Sequence, residues 1–235
     1  MRFILASSSP RRQQMIASLG IEFEIIKPEI DETQHAGEDP LAYVRRLSTE
    51  KAAVVAQQLN QTDLPASQPA STVILAADTI VLAADTIGSV EGEAGARQIL
   101  GKPADDDEAR AILRQLRDHP HEVYTAFRLL KLTADQTSGE TRTEAYDDLV
   151  KTTVTMRPYS DAEIDAYIAS GDPFDKAGGY AIQNPDFHPV QAIDGCYHNV
   201  VGLPLCAVKR GLAALGWPGI IAPAGCDCPR YEAVV

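Results

Sequence analysis

Four short stretches place side chains in patterns suited to holding and attacking a polyphosphate. In the first, ASSSPRR at 6–12, an apolar run enters a hydroxyl-rich turn that opens a helix. A helix start offers backbone N–H groups with no intrahelical acceptor and the positive end of the helix dipole. Ser7, Ser8 and Ser9 add hydroxyls, and Arg11 and Arg12 add two forked cations, a combination that cradles phosphate. The same residues would also serve as an ordinary cap with solvated arginines. In the second, AADTIV at 76–81, Asp78 interrupts an apolar strand, where an unpaired buried carboxylate is costly. Such a residue meets a partner or a metal, or lies at a strand end facing the crevice where open α/β sheets bind ligands. AADTI recurs at 83–87, so Asp85 is a rival, closer to a polar loop.

The third stretch is the acidic loop PEIDET at 28–33. Asp31 and Glu32, with Asp78, supply the oxygen ligands that Mg²⁺ takes, although acidic loops are usually only solvated. The fourth is DKAGGYAIQ at 175–183, whose glycines permit close backbone approach. There Lys176 is a point charge, Tyr180 a stacking face, and Gln183 an amide that both donates and accepts, as reading a base edge requires. A tight turn packing a core is the other reading of this segment. Lys51, Lys102 and Lys176 fall in three separate segments and could each offset phosphate charge. The five histidines show no metal-binding spacing, and no nucleophile-elbow, Walker or dinucleotide-binding glycine pattern occurs. Cys226 and Cys228 form C-x-C rather than C-x-x-C, which favours a loose tail over a metal site.

These stretches need a scaffold of alternating strands and helices. Residues 2–6 predict a short buried strand. Ser9-Pro10 predicts a helix start, with Met15, Ile16 and Leu19 on its apolar face and Gly20 as its C-terminal cap. IEFEII at 21–26 predicts a second strand. Asp39-Pro40 opens a helix whose Leu41, Val44 and Leu47 share a face that Lys51 prolongs. Residues 60–71 predict a polar linker, 72–84 the most strand-like run, and 85–103 a Gly-rich segment ending in GKP. A helix over 105–116 turns Ala109, Ile112, Leu113 and Leu116 inward. Residues 121–133 and 141–157 alternate as a long hairpin. Ser160 and Glu163 form a capping box for a helix ending at Gly171. CYHNVV at 196–201 predicts a strand, and Pro204 starts a last helix to Leu215. The pattern is that of an α/β domain with a mixed sheet over residues 1–216, followed by a tail at 217–235.

The 235 residues are 45% hydrophobic and 23% charged, which excludes a disordered or fibrous chain. A net charge of −12 argues against a nucleic acid polymer or an anionic membrane as partner, since both draw on a basic face. A small anion held by a few placed cations remains compatible. No apolar run approaches the roughly 18 residues of a spanning helix. The first residues, with two arginines where a signal peptide would continue its core, predict the opening strand of a cytoplasmic protein. Four cysteines in this length do not make a disulfide scaffold.

ASSSPRR, the Glu32 loop, Lys51, AADTIV, GKP at 101–103, DKAGGYAIQ and NVVGLPL at 199–205 occur in one order. In this the chain resembles the Maf family of nucleoside triphosphate pyrophosphatases, over roughly residues 2–215. The resemblance implies an inosine-triphosphatase-like fold, a mixed twisted sheet flanked by helices, with two lobes around a cleft. It implies hydrolysis of a nucleoside triphosphate to the monophosphate and pyrophosphate with Mg²⁺ or Mn²⁺. Asp78 then falls on the proton acceptor, and Glu32 and Asp78 on the metal. Ser7, Ser9, Arg11, Arg12, Lys51, Lys102 and Lys176 fall on substrate-binding positions. Arg11, Thr79 and Gln183 fall on specificity positions of the branch acting on dTTP and UTP. A homodimer is implied by the same analogy. The alternative is a nucleotide-binding regulator of cell division and septum formation that does not turn over. The chain departs from the family pattern at Thr125-Ala126 and at YAIQN, 180–184, where Ala181 and Asn184 flank the glutamine segment.

Overall fold

In a computed structural model, which describes residues 1–61, 71–84, 97–134 and 140–228, the opening apolar run is strand β1 (Arg2–Leu5). Helix α1 (Pro10–Ala17) follows, with proline at its first position and Gly20 at φ +70° beyond its end, as the sequence predicts. Strand β2 pairs only over Glu24–Ile25, shorter than the predicted 21–26. Both its residues are exposed, so the run has no second neighbour to extend its pairing, and a bidentate Arg2–Glu24 contact (2.7 and 2.6 Å) closes the sheet edge.

Helix α2 (Pro40–Gln61) and strand β3 (Ser71–Ala84) match their expected places. Strand β4 (Arg97–Leu100) lies within the segment expected to be merely Gly-rich. Its four residues are too few to show a period, and it exists because it pairs antiparallel with the end of β3. Helix α3 (Asp106–Leu116) buries the four predicted residues, with Asp105 as its cap. Strands β5 (Pro120–Ala134) and β6 (Thr141–Met156) are the expected long pair. Helix α4 (Asp161–Ala169) carries the predicted capping box. Two short 3₁₀ turns, Asp172–Asp175 and Ala177–Gly179, occupy the glycine-rich segment. Strand β7 (Val190–Asp194) and helices α5 (Tyr197–Val201) and α6 (Leu205–Ala214) complete the described chain.

CYHNVV is thus not a strand. The valines favour extended backbone by propensity, but the amide of buried Asn199 donates to Val123 O (3.0 Å) and Thr152 Oγ1 (3.1 Å), and a helical turn from Cys196 O sets it there.

The strand order is β2-β1-β3-β5-β6-β7, with β4 also on β3. β1 is parallel to β2 and β3, and β7 is antiparallel to β6, so the sheet is mixed as expected. The chain divides into two compact units. The first comprises Met1–Asp78, Thr125–Val150 and Gly202–Cys228, and the second Thr79–Tyr124 and Lys151–Val201. In the first, Ala52, Val55, Ala56 and Leu59 of α2 pack on Ile4, Ala6, Ile74 and Ala76 of the sheet. That face fixes the rotation of α2 and so the direction of its polar residues. In the second, α3 and α4 pack together, tied by Tyr159, whose buried hydroxyl donates to Leu113 O (2.7 Å). No described helix is long and apolar enough to cross a membrane.

Candidate functional site

The first unit gathers most of the polar residues singled out in the sequence. β1 and β3 run parallel with Leu5 opposite Leu75, and Ala6 N bonds Leu75 O (2.8 Å), so the chain leaves β1 beside the middle of β3. This sets the Ser7–Arg12 turn beside Ala77-Asp78. Ser7 is buried and its Oγ accepts from Ser9 N at 3.2 Å. Ser9 is the N-cap of α1, but its side chain makes no capping bond, and the first turn holds no acidic residue. Helices α3 and α4 instead have side-chain caps and acidic first turns.

Asp78 and Thr79 interrupt the buried stretch of β3, half-buried between the buried runs Val73–Ala77 and Ile80–Ala83. Lys51, from α2, donates to Asp78 Oδ1 at 2.6 Å and also pairs with Glu32 Oε1 at 2.9 Å. The Lys51 side chain is 8% exposed, Asp78 15% and Glu32 58%, so one buried ammonium joins a sheltered carboxylate to one that solvent reaches. Glu32 is placed by α2 as well. Tyr43 Oη donates to Glu32 O (2.8 Å), and Arg46 donates to Thr33 O (3.0 Å) while gripping Glu38 by two bonds (2.7 and 2.8 Å). Asp31 instead accepts from Thr33 N (2.9 Å) and shapes the loop. The side-chain bond from Arg46 holds the Glu38 carboxyl at about 2. Burial, with the Asp78 and Glu32 charges behind it, pushes the Tyr43 hydroxyl above its ordinary value, so it stays a donor.

Arg12 departs from the simple expectation of a phosphate cation. Its Nη1 donates to Ala77 O (2.7 Å) and its Nε to Gly202 O (2.9 Å), so it clamps the backbone immediately before Asp78. Burial lowers its pKa, and the Asp78 charge opposes that. Arg11 is half-buried on the same turn.

The remaining candidates lie in the second unit. Thr79 follows Asp78 along β3. Lys102 is exposed and has no ion pair among the described residues. Lys176 is buried and committed inward, to Asp172 Oδ1 (2.8 Å) and Asp175 Oδ1 (2.6 Å). Asp172 also accepts from Tyr167 Oη (2.7 Å) and Asn184 Nδ2 (3.1 Å). Burial pushes its carboxyl up, but the bonds from Lys176 and Tyr167 outweigh that and hold it below its usual range. Tyr180 is not an open stacking face, because it is buried against His121, with Oη 2.7 Å from Nε2. Gln183 is exposed and hydrogen-bonds the Tyr197 hydroxyl. Gly178 N bonds Gly101 O (3.0 Å), which joins the DKAGG and GKP segments. Asp85 lies outside the described residues.

Tyr43 and Arg46 were missed by the sequence reading. They sit three apart on α2, five to eight residues before Lys51, on the polar side of a helix already known to turn Lys51 toward the strand. That spacing was the available signal.

Residues 2–215 match the family model described as Maf-like protein. A dTTP/UTP pyrophosphatase of Geotalea uraniireducens is 40% identical over 213 residues, 91% of this chain and 94% of that one. One from Shewanella sp. is 41% identical over 92% of this chain and 99% of its own, and one from Thermomicrobium roseum 42% identical over 93% and 86%. A solved nucleoside-triphosphatase / dITP/XTP pyrophosphatase from Mycobacterium abscessus overlaps 66% of this chain and 73% of its own at 17% identity and a TM-score of 0.29, too loosely to bear on the fold. With the family model spanning nearly the whole chain and relatives this similar along their full length, the chain belongs to the Maf family.

Proposed function

We propose that this protein hydrolyses nucleoside triphosphates, dTTP and UTP foremost, to the monophosphate and pyrophosphate with a divalent cation. The observation that carries the reading is the Lys51 ammonium held between Asp78 and Glu32, beside a helix start rich in hydroxyls and arginines. The relatives' names supply the substrate class.

Two carboxylates that already converge on one cation are an all-oxygen donor set of the kind Mg²⁺ and Mn²⁺ take, so Asp78 and Glu32 suit such an ion. When bound, the ion supplies charge neutralisation and polarises a phosphate oxygen. The chain's own residues do the rest. Asp78 orients a water and takes its proton as the water oxygen bonds to the α-phosphorus. The bond from that phosphorus to the bridging oxygen breaks, and pyrophosphate leaves with the electron pair. Arg12 is a positioning residue that fixes the Ala77 carbonyl and with it the Asp78 backbone. Arg11, Ser7 and Ser9 meet phosphate oxygens at the α1 start, and Lys102 adds a cation. Lys176 acts through Asp172 and Asp175, to which it is bound, by holding the glycine segment in shape. Thr79 and Gln183 contact the nucleoside.

Pyrophosphate release across a nucleotide panel, with and without Mg²⁺ or Mn²⁺, tests this. The expected result is metal-dependent release, fastest with dTTP and UTP, and a loss of about 10²–10⁴-fold in D78N with folding retained. Tight nucleotide binding without pyrophosphate release in the presence of metal would instead establish a non-catalytic regulator. Near wild-type turnover in D78N would remove Asp78 from the chemistry, and purine preference would overturn the base assignment.

A further inference from the structure

The chain's last described residues fold back onto α6 and bring three cysteines together. Cys206, the second residue of α6, is buried, Cys226 is exposed and Cys228 half-buried. Cys206 Sγ lies 3.4 Å from Cys226 Sγ and 3.3 Å from Cys228 Sγ, and all three sulfurs lie within 4.8 Å of one another. None of the three is in a disulfide. Asp227, between the tail cysteines, accepts from Cys206 Sγ (3.0 Å) and pairs with Lys209 Nζ (2.6 Å), which shares a face with Cys206 one turn along α6.

We propose that Cys206, Cys226 and Cys228 form a structural Zn²⁺ site that pins the C-terminal tail to α6. Four chemical arguments carry it, none of which depends on the nucleotide chemistry above. Thiols are weak hydrogen-bond donors and acceptors, so mutual contacts alone give little reason for three of them to meet. A disulfide would satisfy two sulfurs and strand the third. A tetrahedral Zn²⁺ with bonds of about 2.3 Å sets sulfurs about 3.8 Å apart, so a shift of a few tenths of an ångström turns this cluster into a ligand set. Soft thiolates select Zn²⁺ over the hard cations that carboxylates bind. The setting fits as well. Lys209 balances Asp227 beside them. Pro223 and Gly225 lead into the C-x-C pair with residues that favour a sharp turn.

The test uses the full chain, purified with reductant and without chelator. Elemental analysis is expected to give about one Zn²⁺ per chain, falling under about one tenth in the double variant C226S/C228S and in C206A. Exchange with Co²⁺ is expected to produce thiolate-to-metal charge-transfer bands and tetrahedral d–d bands, whose intensity counts the thiolates. Three or four sulfur ligands support the site, the fourth cysteine of the chain being Cys196. Fewer than three overturns it. So does an unchanged zinc content in the serine variant, or a reduced wild-type chain that takes up neither ion. A mass two hydrogens lighter in a chain purified with reductant, from a bond between two of these sulfurs, would replace the metal site with a disulfide. Nucleotide turnover is not a readout here, so failure of this site leaves the proposed activity standing and failure of the activity leaves this site standing.

Discussion

Lys51 stands at the meeting point of the polar residues in the first unit. Its ammonium holds Asp78 at 2.6 Å and Glu32 at 2.9 Å, from a side chain almost wholly out of solvent. Removing it leaves a sheltered carboxylate without its partner, so K51M should cost about 1–3 kcal/mol in urea unfolding. It should also cut pyrophosphate release at least about tenfold, because Asp78 loses its orientation. Full turnover in a folded K51M would show that Asp78 needs no such brace. His121 offers a second test. Burial drives its pKa down to about 3, and its Nδ1 has no hydrogen-bond partner among the described residues. The unfolded chain titrates this imidazole near about 6.5, so below that pH it binds a proton the folded chain refuses. The stability contribution is therefore complete above about pH 6.5 and falls as pH drops, by up to about 1.4 kcal/mol per unit. Urea midpoints from pH 7 to 5 should show this slope in the wild type and a flatter one in H121Q. An equal slope in both would assign the loss to other groups.

Among the elements, those with local chemical signals were legible. Proline at the start of α1, the Asp105 cap of α3 and the Ser160–Glu163 box of α4 each satisfy orphan backbone groups with nearby side chains, so sequence spacing suffices to find them. Strand β2 is shorter than its apolar run suggests, and β4 and β7 carry no signal of their own in the sequence. Short edge pairings take their stability from a distant neighbour, which spacing along the chain does not reveal. The DKAGG turn sits between these cases. Its glycines were visible, but only the fold shows what they permit. Gly178 adopts φ +74°, and a Cβ there would meet the Val81 side chain at 3.1 and 3.2 Å. G178A should therefore cost at least about 1–2 kcal/mol from backbone strain alone. A drop in the thermal midpoint checks this, and an unchanged midpoint would mean the turn can relax without loss.

For the whole molecule, the tail is the main revision. It was expected to be loose, yet Trp217 packs edge-on against Phe3 of β1 with ring centroids 5.2 Å apart, and its backbone N–H donates to Leu212 O (2.8 Å). W217A should destabilise the chain by about 1–3 kcal/mol, less than a fully buried tryptophan because this one is half-exposed. Calorimetry that finds no change would return residues 217–228 to the status of an appendage.

Residue order was enough to establish the mixed α/β character, the two long central strands, most helix starts, and the candidacy of Asp78, Glu32, Lys51 and the serine–arginine turn. These are written in local periodicity, capping pairs and the cost of a carboxylate in an apolar run, all of which act within a few residues. Tertiary structure alone decided that Lys51 bridges the two carboxylates, that Arg12 clamps Ala77 and Gly202, that Lys176 faces its own aspartates, and that Cys226 and Cys228 meet Cys206. Each of those facts pairs a long, multi-donor or soft side chain with partners whose choice depends on which backbone segments the sheet and helices bring within about 3 Å, and hydrogen-bonding capacity names no partner until the chain has folded.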